Sequence, residues 1–567
     1  MTTEQAATIF DEITALLELS GANSFKIRAY DNATKILKRE NMPLNEFLDL
    51  AKSGSIKGFG KDLTSKIEEL SKTEKITELT ELRGSIPSGL LELLRIKTLG
   101  GKKIRLLNET LGIKNIEDLV KACENESLIK VKGFGEKTSI TLRKNIAFYL
   151  AHKGMIRLNN LENIFQAINE KLMGANIYPL GEAARFSEII KKIEFLGLSK
   201  DRSVIISAIN NLGGTLNKGE SDSELSFSLG PNNISITIYL CSENSFSKNC
   251  FKKTADSKHL EYLAEYDNYN NAWENFSNES DFYKSLGLPV FPPEMREGLY
   301  EKEFLDSHPE LNIPGLDLGG HLISKSQLKG ALHVHSTYSD GKNSIRDLAI
   351  ASLSLGFSYL GITDHSKSAA YAGGLTEDKI KKQHDEIDKL NEELAPFKIL
   401  KGIESDILKN GDLDYSDNIL SSFDFIIASI HQRYAQNKTE MTERIITAIR
   451  NPFTTILGHP TGRLLLERSA YDIDIDKILI AAIESGTWIE CNSNPKRLDL
   501  SAENLWKAKS LNIPLVITPD AHNLDQLEFV KYGVYQARKA GILPNQVMNT
   551  LSPHQFITHL NIKDARR

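Results

Sequence analysis

The second half of the chain repeats one pattern, which limits the possible fold more than any other feature of the sequence. A short apolar run of β-like residues ends in a histidine, aspartate or glutamate, and a segment of helical periodicity precedes the next run. Six such runs end at residues 335, 365, 404, 431, 459 and 522. Strands that alternate with helices and end in polar residues are typical of a (β/α) barrel, whose active site lies at the C-terminal ends of its strands. The sequence therefore predicts a barrel with a polar site at one end.

Imidazoles and carboxylates accumulate at these strand ends. His333 and His335 are two residues apart, and residues i and i+2 of a strand point to the same face, so both rings can approach one metal ion. The candidate ligands of all the runs are His333, His335, Asp340, His365, Glu404, His431, His459, Asp520 and His522. Such ligands without thiolates suit Mn²⁺, Zn²⁺ or Fe²⁺. Nine ligands exceed the needs of one ion, so we expect a cluster of two or three ions.

This set resembles the complete ligand set of the PHP (polymerase and histidinol phosphatase) phosphoesterases. Residues 458–465 and 494–500 resemble the PHP domain appended to bacterial family X DNA polymerases. The resemblance covers residues 325–567 and implies a distorted (β/α)7 barrel that holds manganese, with zinc or iron as alternatives. It implies three metal sites, formed by His333, His335, Glu404 and Asp520, by Glu404, His431 and His459, and by Asp340, His365 and His522. The residues expected to act in catalysis are His333, His335, Glu404, His431 and Asp520.

Three arginines near the ligands are candidates for binding substrate phosphate. Arg433 lies next to His431, Arg463 follows His459, and Arg497 lies in the segment 494–500. Arginine suits phosphate because its planar guanidinium donates paired hydrogen bonds. For each of these arginines, an ordinary surface salt bridge is an equally good interpretation.

The first 150 residues read as short helices with three similar connecting loops. Gly58-Phe-Gly60 and Gly133-Phe-Gly135 each precede a helix, and Thr98-Leu-Gly100 repeats the pattern with threonine in place of the first glycine. Backbone N–H groups at such a helix start can hold a phosphate. A single loop of this kind could be a simple packing turn. The set resembles helix-hairpin-helix modules, which imply binding to the DNA backbone through Gly58, Gly60, Gly133 and Gly135.

Residues 1–150 also resemble the lyase and fingers domains of family X polymerases. Lys66 matches the lysine that forms a Schiff base with an abasic sugar, and it is a further catalytic candidate. Lys26, Arg28 and Tyr30 match the pocket for a 5′-phosphate. A Schiff-base lysine must be partly neutral, which needs burial or nearby cations. The alternative for Lys66, a solvated helix lysine, stays open.

Residues 155–315 resemble a nucleotidyltransferase palm and thumb, but they depart from that family at its catalytic positions. Three aspartates should hold two Mg²⁺ ions there. Lys192, Glu194 and Ser235 occupy these positions, and a protonated lysine repels a cation. The segment 286–298 still matches the thumb. We therefore expect a retained scaffold that has lost polymerase activity.

The composition restricts the remaining possibilities. The formal net charge of −6 means that any DNA-binding surface must be local. The four cysteines form no CxxC pair, which argues against a disulfide framework or a zinc ribbon. No apolar run approaches the length of a membrane span and no signal peptide is recognisable, so we expect a cytoplasmic protein.

Together these patterns predict a multidomain chain of the α+β and α/β classes. The expected domains are a lyase-like helix-hairpin-helix domain (1–85), a fingers-like one (86–154), a degenerate palm and thumb (155–315) and the PHP barrel (325–567). The predicted function is a metal-dependent DNA phosphoesterase, a 3′–5′ exonuclease or AP endonuclease, acting on gapped, nicked or abasic DNA in base-excision repair. A DNA-end-binding scaffold with a vestigial metal site is one alternative, against which the filled ligand set argues. A small-molecule phosphatase of the histidinol-phosphatase kind is the other, against which the hairpins argue.

Overall fold

The computed structural model describes residues 1–40, 42–217, 221–229, 234–432 and 434–564. The chain forms two compact units, Met1–Lys153 and Gly154–Arg567. The finer division into four domains stays a prediction. Within the described residues, no helix combines the length and the apolar character that are needed to cross a membrane.

The regular elements of the first unit, as far as it is described, are helices joined by short loops. Its helices are α1 (Thr3–Ser20), α2 (Ser24–Glu40), α3 (Leu44–Lys52), α4 (Lys61–Thr73), α5 (Thr77–Ser85), α6 (Ser88–Leu93), α7 (Gly101–Leu111), α8 (Ile116–Glu124) and α9 (Glu136–His152). Apolar residues at helical spacing bury one face of each long helix, as Phe10, Ile13 and Leu17 do in α1. A capping box between Thr2 and Gln5 fixes the start of α1.

The three predicted hairpin loops share one backbone geometry. The first residues of the loops, Gly58, Thr98 and Gly133, have φ angles of +87°, +77° and +94°. Gly60, Gly100 and Gly135 are then the extended N-cap residues of α4, α7 and α9, and no side chain caps these helices. Thr98 thus adopts a left-handed conformation that glycine tolerates better, which identifies it as the substituted glycine of the pattern.

The second unit begins with a small sheet and its helices. These elements are β1 (Ile156–Arg157), α10 (Leu158–Asn169), β2 (Ile177–Pro179), α11 (Gly181–Ala184), β3 (Ile189–Ile190), β4 (Ile193–Leu198), α12 (Arg202–Asn211), β5 (Thr215–Leu216), β6 (Glu224–Leu229) and β7 (Ile234–Cys241). In the described part of this region, five strands pair in the order β2-β4-β7-β6-β5, with β4 and β7 parallel. A helical region follows, with α13 (Phe246–Thr254), α14 (Ser257–Ala264), α15 (Tyr269–Glu274), α16 (Glu279–Ser285) and α17 (Glu301–Ser307).

The rest of the second unit is the predicted barrel. Its strands are β8 (Gly330–Val334), β9 (Tyr359–Ile362), β10 (Lys398–Asp406), β11 (Phe425–Ser429), β12 (Ile456–Leu457), β13 (Trp488–Asn492) and β14 (Leu515–Thr518). Its helices are α18 (Ile345–Ser354), α19 (Glu377–Glu393), α20 (Asp417–Leu420), α21 (Lys438–Arg450), α22 (Ile475–Ser485), α23 (Ala502–Ser510), α24 (Val530–Lys539) and α25 (Pro553–Asp564).

The strands of the barrel lie in chain order and nearly close on themselves. As far as these residues are described, β8 to β14 form one seven-stranded parallel sheet. A single bridge between Val334 and Ala521 links the C-terminal ends of β8 and β14. Phe556 and Leu560 of α25 pack against interior residues such as Phe425 and Ile427. Because apolar residues fill this part of the interior, the opposite end is the one that can carry a polar site.

Candidate metal centre

All nine predicted ligands lie at the C-terminal end of the barrel. His333 and Glu404 belong to β8 and β10. The others follow the ends of β8, β9, β11, β12 and β14, and they are His335, Asp340, His365, His431, His459, Asp520 and His522. Parallel strands bring these positions together although more than 180 residues of chain separate the first from the last.

A bulge, and not regular strand alternation, brings His333 and His335 together. The pairing of β8 with β9 shifts between Ala331 and Val334, and His333 has a φ angle of +60°. Leu332 consequently packs in the barrel interior while Val334 packs in the outer core. The two imidazole centres are 5.3 Å apart. The expected proximity is present, but its physical cause differs from the prediction.

Backbone strain accumulates at the same end of the barrel. His333, His459 and Asp520 have φ angles of +60°, +25° and +50°. A residue with a side chain in the left-handed region costs about 1–3 kcal/mol and is retained where the surrounding structure enforces it. Three strained positions among nine candidate ligands indicate a functional site.

Glu404 lies at the centre of one half of the site. The Nε2 atoms of His333, His431 and His459 are 3.2, 3.1 and 3.0 Å from its Oε1 atom. The Nδ1 atom of His365 is 2.9 Å from Oε2. The Nε2 atom of His335 is 3.7 Å from Oε2 as well. One carboxylate thus faces five imidazoles and could bridge two ions.

Asp340 and Asp520 complete the other half. The Oδ2 atom of Asp340 is 3.6 Å from Nε2 of His365, and its Oδ1 atom is 3.6 Å from Nε2 of His522. The Oδ1 atom of Asp520 is 3.6 Å from Nε2 of both His333 and His335.

These side chains form overlapping groups of the size that metal ions require. The groups are His335, Asp340, His365 and His522; His333, Glu404 and His459; His333, His335 and Asp520; and His365, Glu404 and His431. Within each group the ligand atoms lie within 4.8 Å of one another. The expected site of Asp340, His365 and His522 falls within one group, which His335 also joins. The other two expected sites are divided differently, because Glu404 is grouped with His333 and His459 and again with His365 and His431, and is not in the group of His333, His335 and Asp520. Which residues hold which ion stays a prediction.

Unsatisfied atoms test whether the site suits metal ions. The buried atoms that make no hydrogen bond to described residues include Nε2 of His333, both ring nitrogens of His335, Nδ1 of His365, Oε2 of Glu404 and Nδ1 of His459. Buried polar atoms normally have partners, and leaving one without a partner costs about 1–3 kcal/mol. Divalent ions would satisfy these atoms, so the residues fit the expected cluster.

The electrostatic field of the site also favours cations. Burial, together with neighbouring His522 and His365, lowers the pKa of His335 to about 3, so its ring is neutral and able to bind metal. Burial would lower the pKa of His365 as well, but the carboxylates of Glu404 and Asp340 raise it to about 10. In the absence of metal, the carboxylates therefore hold protons on neighbouring rings, where metal ions would otherwise supply the positive charge.

Two carboxylates that the sequence analysis missed orient the rings. Glu490 of β13 accepts a hydrogen bond from Nδ1 of His333 and another from the backbone N–H of His459. Asp406, at the end of β10, accepts one from Nδ1 of His431. Such outer contacts fix ring orientation and tautomer in metal sites. The strand period of two placed Asp406 on the same side as Glu404 and could have identified it.

The predicted substrate arginines differ in their surroundings. The Nε atom of Arg497 is 3.2 Å from Oδ2 of Asp520, so Arg497 adjoins the site. Arg463 bonds to Glu188 and to the carbonyl groups of Arg497 and Leu498. Arg463 therefore holds the ligand-bearing loop against the region before the barrel, and its phosphate-binding role stays a prediction. Arg433 lies outside the described residues.

In the first unit, the predicted 5′-phosphate residues surround an acidic group. Nζ of Lys26 is 2.6 Å from Oε1 of Glu78, and the hydroxyl of Tyr30 donates to Oε2 at 2.6 Å. Nζ of Lys66 is 3.5 Å from the same oxygen. Tyr30 is buried, and Arg28 is exposed. Sequence reasoning missed Glu78, which supplies a negative charge where a phosphate was expected.

The palm positions have no carboxylate pair to hold metal. Lys192 precedes β4, Glu194 lies in β4, and Ser235 lies in the neighbouring parallel strand β7. The Oε1 atom of Glu194 accepts a hydrogen bond from the hydroxyl of Tyr239. Among the described residues, the groups able to hold a metal ion all belong to the barrel.

Family comparisons agree with this architecture. The PHP domain family matches residues 331–494, a helix-hairpin-helix domain matches residues 1–76, and a SAM-like helix-hairpin-helix tandem matches residues 90–144. The matches fall on the barrel and on the two segments that carry the hairpin loops.

One named relative matches almost the whole chain, and two others match only a part of it. A Bacillus subtilis (strain 168) protein named DNA polymerase/3′-5′ exonuclease PolX is 34% identical over 565 residues, covering 96% of both chains. A probable phosphatase of Thermoanaerobacter sp. (strain X514) is 33% identical over 171 residues, covering 28% of this chain and 67% of its own. A probable phosphatase of Acetivibrio thermocellus is 29% identical over 247 residues, covering 41% and 95%. The likeness to the first relative spans both units.

Proposed function

The chain belongs to the bacterial family X DNA polymerases that carry a C-terminal PHP domain, and on that premise we propose that it is a metal-dependent phosphoesterase that removes nucleotides from 3′ ends of DNA. The proposed substrates are gapped, nicked or abasic DNA, as they arise in base-excision repair. The Bacillus subtilis relative is named as a 3′-5′ exonuclease as well as a polymerase, which supports the direction of hydrolysis.

The observation that carries this proposal is the convergence of nine imidazole and carboxylate side chains with several unsatisfied buried ligand atoms. The side chains of His333, His335, Glu404, His431 and Asp520, together with the four remaining ligands, would hold two or three manganese ions. Such ions would supply a deprotonated water and neutralise charge on the phosphate.

The protein's own residues have separate tasks in this proposal. Glu490 and Asp406 hold the rings of His333 and His431 through Nδ1, so that Nε2 of both rings points to Glu404. Arg497 lies beside Asp520 and supplies a fixed cation at the edge of the site. A guanidinium in that position favours an approaching phosphodiester.

The hairpins supply DNA binding in this proposal. Three helix starts with the same loop geometry present backbone N–H groups without a side-chain cap, at Gly60, Gly100 and Gly135. Contacts of this kind hold phosphates regardless of sequence, which suits an enzyme that acts on DNA ends. The Nζ atom of Lys66 lies 3.5 Å from Oε2 of Glu78, and the lyase role of Lys66 stays a prediction.

We further propose that polymerase activity is lost. The three positions that should hold two Mg²⁺ ions are Lys192, Glu194 and Ser235, and one carboxylate cannot hold two ions. The palm then serves as a scaffold, which is supported by the bonds between Arg463 and Glu188.

A labelled gapped duplex tests the function. The metal-free protein receives Mn²⁺ and a substrate whose upstream strand is labelled at the 5′ end or, separately, at the 3′ end. We expect a ladder of shortened products from the first substrate and released mononucleotide from the second. Hydrolysis of a small phosphate monoester without any action on DNA would favour a small-molecule phosphatase and contradict the proposal.

A further inference from the structure

One aromatic side chain beside the metal centre is exposed without an evident structural task. Tyr371 lies on a short helical turn, Ala370–Ala372, six residues after the ligand His365. Its side chain is 67% exposed, and its ring centre is 6.3 Å from that of His365. Exposed aromatic rings at the entrance of a site are candidates for ligand binding.

The loop that carries Tyr371 is fixed at both of its ends. The backbone N–H of Ser366 donates to the carbonyl of Glu404, and that of Leu375 donates to the carbonyl of His365. A Cβ atom on Gly374 would lie 2.0 Å from the carbonyl oxygen of Ser366, so only glycine permits this closure. These contacts hold the two ends of the loop that carries Tyr371 next to His365 and Glu404.

A second tyrosine of this end of the barrel provides a contrast. The ring of Tyr434 stacks with Tyr471 at 6.2 Å, and the guanidinium of Arg468 lies 4.3 Å from its centre. Among the described residues, the ring of Tyr371 has a ring contact with His365 alone, at an interplanar angle of 53°. A face of Tyr371 therefore remains for a ligand.

A cavity of about 580 Å³ adjoins the same loop. Its lining includes Ser368 of the loop, Asp406 behind His431, and the polar side chains of Lys409, Asn410 and Gln432. The side chain of Gln432 also donates to the carbonyl of Ser368 at 3.0 Å, so these two residues of the cavity lining contact each other. Cavities of 300–1,000 Å³ accommodate small organic ligands, so a nucleotide fits in size.

We propose that Tyr371 stacks on the base of the 3′-terminal nucleotide and that the adjoining cavity receives the sugar and phosphate of the same strand. This inference rests on the proposed function. The 3′-terminal base has one face without a neighbouring base, and that face is available to the ring of Tyr371.

A comparison of bases with abasic residues tests the stacking. The full-length protein hydrolyses single-stranded 3′ tails that end either in adenosine or in a tetrahydrofuran abasic residue. Stacking contributes about 1–3 kcal/mol per base, equivalent to roughly 5- to 150-fold, so wild type should prefer the base by a factor in this range. Tyr371→Ala should lose the preference and Tyr371→Phe should keep it. Ile350→Ala, an exposed change on the outer helix α18, is the matched control.

A second measurement separates this inference from the proposed function. Tails with 2-aminopurine at the 3′ terminus bind the metal-free protein, so that no hydrolysis intervenes. Binding should quench the fluorescence with wild type and Tyr371→Phe, but not with Tyr371→Ala. Equal quenching in all three, or an equal base preference in Tyr371→Ala and wild type, would overturn the inference while hydrolysis itself persists. Absence of hydrolysis by wild type would instead overturn the proposed function.

Discussion

Glu490 accepts a hydrogen bond from Nδ1 of His333, and Nε2 of the same ring lies 3.2 Å from Glu404. The contact joins residues 157 positions apart and fixes which ring nitrogen faces the candidate metal site. Glu490 is fully buried and also accepts from the hydroxyl of Thr518. An orienting carboxylate of this kind typically changes metal affinity by about 10- to 100-fold.

We therefore expect Glu490→Gln to weaken manganese binding by about this factor, measured by calorimetry on the metal-free full-length protein. The amide keeps the shape of the side chain but lacks its charge. Glu484→Gln, on the exposed face of α22, is the control that should bind as wild type does. Unchanged manganese affinity in Glu490→Gln would show that Glu490 does not orient the ring of His333 for metal binding.

In the predicted 5′-phosphate pocket of the first unit, Glu78 would compete with phosphate for Lys26. Their ion pair of 2.6 Å is partly exposed, and such pairs contribute at most about 1 kcal/mol. We expect Glu78→Gln to bind a gap with a 5′-phosphate about two- to fivefold more tightly. The dependence of binding on salt should also become steeper, because one more phosphate contact forms. Fluorescence anisotropy over a salt series measures both.

The same gap with a 5′-hydroxyl is the matched substrate for that experiment. Glu68→Gln, which removes a partly exposed carboxylate paired with Lys52 and Lys72, is the matched variant. An equal gain in affinity on the hydroxyl substrate would show a general charge effect, and the phosphate pocket would then lack support.

The palm should not incorporate nucleotides on a one-nucleotide gap, with either Mg²⁺ or Mn²⁺. Lys192, Glu194 and Ser235 cannot form the site for two ions. The assay belongs in a His431→Ala background, because an active nuclease would remove added nucleotides and imitate an inactive polymerase. Template-directed extension in that background would mean that another set of carboxylates holds the ions for polymerisation.

The buried amine of Lys509 should make the free energy of unfolding depend on pH. Its Nζ atom donates to the carbonyl of Gly541 at 2.7 Å, and burial lowers the pKa of Lys509 to about 7. The unfolded chain then binds more protons than the folded chain between pH 7 and about 10.4, so the contribution of Lys509 to stability rises with pH there.

Lys509→Met removes this contribution and keeps a similar volume. The free energy of unfolding of the variant minus that of wild type should therefore fall as pH rises from 7 to 10, by less than about 1.4 kcal/mol per pH unit. Urea titrations at several pH values measure the difference. A difference that is constant with pH would show that the lysine stays protonated inside the fold.

The sequence predicted the barrel, and it predicted that the candidate ligands converge at one end, because both depend on local patterns. Apolar runs that end in His, Asp or Glu recur at strand spacing, and parallel strands bring their ends together whatever the details. Thr98 was recognised as the substituted glycine of a hairpin, and its φ angle of +77° agrees.

What the sequence could not supply were contacts between distant residues. Glu490 lies in a strand that reads as a buried run, and its partner His333 is 157 residues away. Glu78 is 48 residues from Tyr30, and nothing local marks it as an acceptor. The bulge at His333 was not predicted from the sequence either, because it depends on the pairing of β8 with β9.

The most direct test of the central claim is the rate at which a His333→Ala, His335→Ala double variant hydrolyses a 5′-labelled gapped duplex after chelation and return of Mn²⁺. Both rings are buried at the end of β8, and their ligand atoms belong to three of the four candidate metal groups. We predict a rate no higher than that of chelated wild type, with binding of the same duplex largely retained because the hairpins are intact. Hydrolysis by the variant near the wild-type rate would contradict the assignment of this site.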